Sequence, residues 1–222
     1  MITLKKHPIT SLLIFSISLV FLSMQALYLA QAESPLIIYR FGGLIGNLLK
    51  VNPSDLWRLV TPIFVHIGWE HFLFNTVSLF FLGKIAEKLY GSTKFLVLVI
   101  LSGIMGNVFV LLLTPDVIVA GASTSIFGLF AAIMITGHFS SNVLLKNLSH
   151  SYRALIIINL LFNLITPGVS IAGHLGGLLG GLLLGIGLSP KQEVHLSAPT
   201  RFLAFGAYSI ALISLVLFSL SH

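Results

Sequence analysis

The sequence predicts an all-α polytopic membrane protein, and two observations carry that prediction. Of its 222 residues, 56% are hydrophobic and only 8% are charged, and the mean hydropathy is +1.04, which is typical of chains embedded in lipid. The apolar residues also occur in long runs rather than in the alternation of a transmembrane strand. Because a segment in lipid must satisfy its own backbone hydrogen bonds, these runs are expected to be helices.

The apolar runs predict seven membrane-spanning helices. They are expected near residues 9–30, 70–88, 95–113, 118–138, 153–166, 170–188 and 202–220. The fifth is short for a full crossing, which takes about 20 residues. The first six helices form a predicted core over residues 9–188, and a polar linker at 189–200 separates this core from a seventh, appended helix within 201–222.

The distribution of basic residues predicts the orientation in the membrane, because Lys and Arg are enriched on the inner side. If residues 1–8 lie inside, seven crossings place nine of the 12 Lys and Arg residues inside as well, and only Arg40, Lys50 and Arg58 outside. The expected topology is therefore N-in and C-out. A chain without a soluble domain or an evident transit peptide is further expected in a bacterial inner (cell) membrane, with the site open to the outer side. The net charge of +6 then needs no nucleic-acid partner to explain it.

Ala30-Gln-Ala32 resembles a signal-peptidase site. The preceding apolar run of about 22 residues is longer than the roughly 7–15 apolar residues of a signal peptide, so an uncleaved anchor is expected.

The one long connection, residues 31–65, is expected to lie half embedded in the outer membrane interface. Its apolar patches are interrupted by glycines and by the turn Asn52-Pro-Ser-Asp55, so it is too broken to span the membrane and too apolar to extend into water. Trp57 beside Arg58 suits the headgroup level.

A serine and a histidine in the fourth and sixth spans are the strongest indication of chemistry. In the predicted topology both spans run from outside to inside, and Ser123 and His174 lie about five and four residues into them, which places them at similar depth. Polar side chains at such a depth are costly to bury and favour a functional site. Ser125 is rotated by about 200° from Ser123, so only one of the two serines can face His174.

Glycines below the histidine predict that another helix packs closely against it. Gly177, Gly181 and Gly185 recur every four residues on the face that carries His174, and such a stripe allows two backbones to approach.

At the outer end of the second span, His71 and Asn75 are i,i+4 neighbours on one helix face. Both can donate hydrogen bonds without a fixed charge, which suits the stabilisation of an oxyanion together with the Ser123 N–H.

Taken together, the motifs resemble those of the rhomboid family of intramembrane serine proteases. They occur in family order over most of residues 36–188 and are Trp57-Arg-Leu-Val-Thr-Pro-Ile-Phe-Val-His66, His71-x-x-x-Asn75, Glu87 before Gly91-Ser92, Gly121-x-Ser123 and His174-x-x-Gly177-x-x-x-Gly181.

The resemblance implies a fold and a site. The fold is a six-helix rhomboid-like core, with Ser123 as nucleophile, His174 as general base, and an oxyanion hole formed by His71, Asn75 and the Ser123 N–H. It further implies that Phe127 stacks on His174, that Arg58 and Glu87 are structural, and that His66 and Gly121 support the site. The implied partners are single-pass or polytopic membrane proteins, cleaved in the bilayer near the outer end of a span, without a metal or other cofactor. Two positions depart from the family pattern, Thr124 after the nucleophile and Gly173 before the histidine.

Other functions remain open at this stage. A catalytically inactive rhomboid-like protein that binds membrane clients is one alternative, and a transporter is another, although the polar residues cluster at one end rather than at the midplane. A metal site formed by His66, His71 and His174 would lack the usual HExxH pair. An aspartyl protease is excluded because no acidic residue lies in the interior of a predicted span. The absence of cysteine excludes disulfides and thiol catalysis.

Overall fold

A computed structural model describes residues 6–221 of the chain, and it is almost entirely helical. Seven long helices carry the architecture: α1 (Pro8–Tyr28), α4 (Gly68–Tyr90), α5 (Ser92–Leu113), α6 (Ser123–Phe139), α7 (Val143–Ile165), α8 (Ile171–Gly187) and α9 (Ala198–Ser221). Two short helices, α2 (Pro35–Arg40) and α3 (Gly46–Val51), lie in the long connection with the 3₁₀ turns Pro53–Leu59 and Thr61–Phe64. The protein is an integral membrane protein, and four of its helical segments (Pro8–Gln31, α5, α7 and α9) are long and apolar enough to cross a bilayer. Lys5, in the predicted inner N-terminus, and His222, in the predicted seventh helix, lie outside the described residues.

Two helix boundaries differ from the sequence-based expectation. The fifth long helix is not short, because α7 begins at Val143, where the Asn142 side chain accepts a hydrogen bond from the Leu144 N–H. Charged and polar residues in its first half had interrupted the apolar run. The fourth long helix begins at Ser123 rather than near 118, because Ile118–Val119 forms a strand (β2) that pairs antiparallel with Leu44–Ile45 (β1).

Helices α5, α6 and α8 form the centre of the bundle. They pack on one another more closely than any other group of helices, with α1 and α4 on one flank, α7 on α6, and α9 against α5 and α8. The α9 helix is attached by a hydrogen bond that the Tyr208 hydroxyl donates to the Leu101 carbonyl, at 2.8 Å. The six-helix core with one appended helix is therefore the observed architecture.

The two ends of the bundle differ in chemistry. At one end, Lys94 Nζ donates to the Leu188 carbonyl and the Arg201 guanidinium donates to the carbonyls of Ser189 and Val194. The opposite end holds the long connection and the first residues of α6 and α8. The helix termini thus separate a basic end from the end that contains Ser123.

Arg58 organises the long connection between α1 and α4. Its guanidinium donates to the carbonyls of Tyr39 and Gly43 at 2.6 and 3.1 Å and to the Asp55 carboxylate at 3.1 Å, and it lies over the Tyr39 ring at 3.7 Å. The hydrogen bond from Arg58 is the main reason why the pKa of Asp55 lies below its ordinary value. One buried cation therefore joins α2, the residue before β1 and the 3₁₀ turn.

Glu87 makes the equivalent connection at the other end of the bundle. Its carboxylate accepts hydrogen bonds from the backbone N–H groups of Ile9 and Thr10 and from the hydroxyls of Thr10 and Ser92, all between 2.7 and 2.9 Å. A carboxylate at the N-terminus of a helix satisfies donors that have no partner within the helix and interacts favourably with the helix dipole. Glu87 thus holds α1 against α4 and α5, far from Ser123.

Candidate active site

The segment that leads into Ser123 has a backbone that requires glycine. Gly121 has a φ of +130°, and its N–H donates to the Pro62 carbonyl at 2.8 Å. A Cβ at this position would lie 2.5 Å from Cε1 of His71, which is far inside van der Waals contact. The His71 ring therefore lies directly against the residue two positions before Ser123.

His66 binds the backbone of the same segment. Its imidazole is fully buried, and its Nε2 accepts a hydrogen bond from the Ala122 N–H at 3.3 Å. The His66 and His71 rings are 5.2 Å apart. His66 thus binds the backbone N–H of the residue that immediately precedes Ser123, a contact that the implied supporting role did not specify.

His174 is the fourth residue of α8 and lies beside the start of α6. Its ring stacks on the Phe127 ring with centroids 4.0 Å apart and an interplanar angle of 12°. The N-terminus of α8 is capped by the Ser170 hydroxyl, which accepts from the Gly173 N–H at 3.1 Å. The imidazole is 5% exposed, so its orientation is set by packing.

The glycine stripe of α8 contacts α6 backbone to backbone. A Cβ at Gly177 would lie 2.1 Å from the Thr124 carbonyl oxygen, and one at Gly181 would lie 2.0 Å from the Gly128 carbonyl oxygen. Any larger side chain would separate the two helices. This contact is what brings the face of α8 that carries His174 to the first turn of α6.

The two serines of α6 have different surroundings. Ser125 is fully buried, and its hydroxyl donates to the Val99 carbonyl of α5 at 2.7 Å. Ser123 begins the helix and is partly exposed. No hydrogen bond joins Ser123 to His174 within residues 6–221.

Thr124 does not point into the space beside Ser123. Its methyl group and Cβ lie where α5 and α8 meet, 3.0 Å and 2.6 Å from the positions that a Cβ would take on Gly173 and Gly106. The two departures from the family pattern therefore compensate, since a glycine at 173 leaves space for the threonine. Thr124 Oγ1 is buried without a hydrogen-bond partner in the described chain.

The two expected oxyanion donors on α4 differ in their present partners. Asn75 is buried, and its amide Nδ2 donates to the backbone carbonyl of His71 at 2.8 Å. The His71 ring faces Gly121. His71 is thus close to the Ser123 segment, while the Asn75 amide uses one of its two N–H donors on its own helix and keeps the other for a substrate.

Asn163 is a site residue that the sequence analysis did not identify. Its side-chain Nδ2 lies 2.6 Å from Nδ1 of His174, and it comes from α7 rather than from α6 or α8. The signal that could have identified it is an amide in the otherwise apolar run Leu160-Leu-Phe-Asn-Leu164, since a polar side chain in a membrane span usually has a partner.

The described residues do not form a metal centre. No group of three or more His, Cys, Asp or Glu side chains in the range 6–221 is placed to hold a metal ion.

Comparison with known proteins assigns the family. The family model described as a rhomboid domain matches residues 53–191, which include every residue of the site. The chain belongs to the rhomboid family. This family includes intramembrane proteases and rhomboid-like proteins.

Among the relatives, rhomboid protease GluP of Bacillus subtilis is 35% identical over 126 residues, which cover 57% of this chain and 25% of GluP. The putative rhomboid protease YdcA of the same organism is 33% identical over 131 residues, or 59% of this chain and 66% of YdcA. Inactive RHOMBOID-like protein 8 of Arabidopsis thaliana is 30% identical over 109 residues, or 46% of this chain and 31% of that protein. The rhomboid chain described here thus spans a quarter to about two thirds of the length of these relatives.

Proposed function

We propose that this rhomboid is a serine endopeptidase that cleaves transmembrane segments of membrane proteins near their outer end. The observation that carries the proposal is the stacking of His174 on Phe127, which lies one turn after Ser123 in α6. A partly exposed serine at the helix start and a buried imidazole held against the next turn supply the two groups that nucleophilic catalysis uses.

In this reaction the Ser123 oxygen attacks the carbonyl carbon of the scissile peptide while His174 accepts the serine proton. The tetrahedral intermediate then collapses, the C–N bond breaks, and His174 returns the proton to the leaving amine. Water next attacks the acyl-enzyme, again with His174 as base, which releases the new carboxyl terminus and restores Ser123. The chemistry uses side chains of this chain alone, and no cofactor takes part.

The developing oxyanion is expected to be stabilised by donors that surround Ser123. The Ser123 N–H belongs to the first turn of α6 and has no partner within the helix, so it can donate to a substrate oxygen. The His71 ring lies against the preceding Gly121. Asn75 can complete the set with the second N–H of its amide, since only one is used on the His71 carbonyl.

Helix length supports access of water to this site. Helices α6 and α8 have 17 residues each, about 25 Å, whereas the hydrocarbon core is about 30 Å thick. Helices shorter than the hydrocarbon core leave one end within the membrane, and we expect that end to be the outer one, where Ser123 is partly exposed. A substrate helix must unwind locally to expose its carbonyl, so substrates with glycine or other weak helix formers near the outer end of the span are favoured.

The proposed setting is a bacterial inner (cell) membrane, with the N-terminus inside, the C-terminus outside and the site open to the outer side. The basic helix ends formed around Lys94 and Arg201 then face the cytoplasm, as the positive-inside rule requires.

A fluorophosphonate probe tests the proposal, because it modifies only an activated serine. Detergent-solubilised wild type should be labelled, Ser123→Ala and His174→Ala should not, and Ser125→Ala should be labelled provided that it folds. The same four proteins in proteoliposomes should give the same order of cleavage of a single-pass substrate. Failure of the folded wild type to label or to cleave would instead support a rhomboid-like protein that binds membrane clients.

A further inference from the structure

The contact between Asn163 and His174 joins a third helix to the proposed catalytic pair. The Asn163 amide lies 2.6 Å from Nδ1 of His174, and α7 makes few other contacts with α8. One turn earlier, Asn159 donates its amide to the Leu155 carbonyl of its own helix at 2.8 Å. The two asparagines lie on the same helix face, but Asn159 has its hydrogen-bond partner within α7 and Asn163 has its partner on α8.

This contact decides which imidazole nitrogen is available to Ser123. With Nδ1 taken by Asn163, the free nitrogen of His174 is Nε2. For Nε2 to accept a proton, the neutral ring must carry its hydrogen on Nδ1. That hydrogen needs an acceptor, and the amide oxygen of Asn163 becomes one when the amide turns by 180° about its last bond, an orientation that the heavy-atom positions do not distinguish.

The need for an acceptor at Nδ1 is greater still when the His174 ring is protonated. Once His174 has accepted the serine proton, both ring nitrogens are donors. An amide N–H facing Nδ1 would then repel the ring, whereas the amide oxygen would stabilise it. Phe127 restrains the plane of the imidazole but offers no acceptor, so stacking alone cannot select the tautomer.

We propose that Asn163 is a positioning residue whose side-chain oxygen accepts a hydrogen bond from Nδ1 of His174, holding the ring in the tautomer that can deprotonate Ser123. The proposal rests on the proposed serine protease activity. It makes the site a serine, histidine and asparagine arrangement assembled from α6, α8 and α7. Helix α7 then contributes a positioning residue to the site in addition to packing beside it.

The test compares Asn163→Leu, Asn163→Asp and the matched control Asn159→Leu for the rate of fluorophosphonate labelling and for kcat and KM on a single-pass substrate. Asn163→Leu should lower the labelling rate and kcat by about 10- to 100-fold with little change in KM, because misorientation of a catalytic group acts on the chemical step. Asn159→Leu should match the wild type.

Asn163→Asp keeps an acceptor and adds a negative charge beside the ring. It should retain activity at alkaline pH, while the acid limb of its pH–rate profile moves to higher pH, since an adjacent carboxylate favours the protonated imidazole. His71 is the other titratable group that acts on His174, and it is unchanged in all three variants. This shift would confirm that the side chain at position 163 lies against the ring, and the tautomer of His174 then separates a positioning role from a purely structural one.

A second measurement needs no activity. In protein labelled with ¹⁵N-histidine, and with His174→Ala to assign the signal, the neutral His174 ring should carry its proton on Nδ1 in the wild type and Asn159→Leu, and lose that preference in Asn163→Leu. An Nε2-protonated ring in the wild type, or wild-type kcat and tautomer in a folded Asn163→Leu, would overturn the proposal. A correct tautomer in a wild type that neither labels nor cleaves would refute the protease function alone.

Discussion

Replacing Gly177 by alanine should separate the two helices that bring Ser123 and His174 together. The alanine methyl would lie 2.1 Å from the Thr124 carbonyl oxygen, whereas ordinary contact begins at 3.4 Å. The α8 backbone fixes the position of the methyl and the oxygen belongs to the α6 backbone, so neither can turn away, and α8 must move from α6 by about 1.3 Å.

The displacement acts on catalysis more than on stability. A misplacement of about 1 Å between reacting groups costs on the order of 100-fold in rate, and His174 lies one turn from the clash. Overpacking costs about 1–3 kcal/mol of unfolding free energy, of which the higher helix propensity of alanine offsets roughly 1 kcal/mol. The variant should therefore remain folded while its rate of fluorophosphonate labelling falls about 100-fold.

Gly206→Ala on α9 is the matched control. A Cβ at Gly206 would meet no atom within 4 Å, so labelling should remain at the wild-type rate and the unfolding free energy should rise by up to about 1 kcal/mol. Labelling by Gly177→Ala within about threefold of the wild type would show that the close contact of α6 and α8 does not set the geometry of the site.

Three further predictions concern residues outside the reaction. Glu87→Gln should lower the free energy of unfolding in detergent by about 1–3 kcal/mol, because it weakens charge-assisted hydrogen bonds to the start of α1, whereas Glu70→Gln at an exposed position should not. Because the folded-state pKa of Asp55 is depressed, its contribution to stability is present above the ordinary value of 3.8 and lost as the pH falls through the folded value. Thermal melts between pH 5 and pH 2 should therefore show a larger loss of stability in the wild type than in Asp55→Asn, which lacks only the Asp55 contribution. Gly173→Ala should destabilise the protein more in the Thr124 background than in Thr124→Ser, which lacks the opposing methyl, with a coupling energy of about 0.5–3 kcal/mol in a double-mutant cycle.

Most helices were predictable because hydropathy is a property of consecutive residues. The predicted spans at 70–88, 95–113, 170–188 and 202–220 match α4, α5, α8 and α9 within a few residues. The fifth was misjudged where polar residues of α7 extend the helix beyond its apolar part, since the helical state there depends on the cap at Asn142 and on packing against α6. The fourth was misplaced because β2 gains its partner from β1, and the paired residues Leu44 and Val119 lie 75 positions apart, which no local pattern can indicate.

Within the site, spacing and composition were sufficient to select Ser123, His174, His71 and Asn75 as candidates, because motif positions and helical faces follow from residue order. Their catalytic roles remain predictions. The compensation between Thr124 and Gly173 and the support of Ala122 by His66 came from the structure alone.

Residue order and hydropathy were enough to establish a membrane-embedded helical protein with a serine and a histidine at one end of its helices, because both are read along a single segment. The tertiary structure decided which helices touch, how closely the glycines of α8 approach α6, and that an asparagine of α7 reaches His174. These are contacts between segments far apart in the chain, and their geometry depends on side-chain volumes and backbone approach summed over the whole bundle.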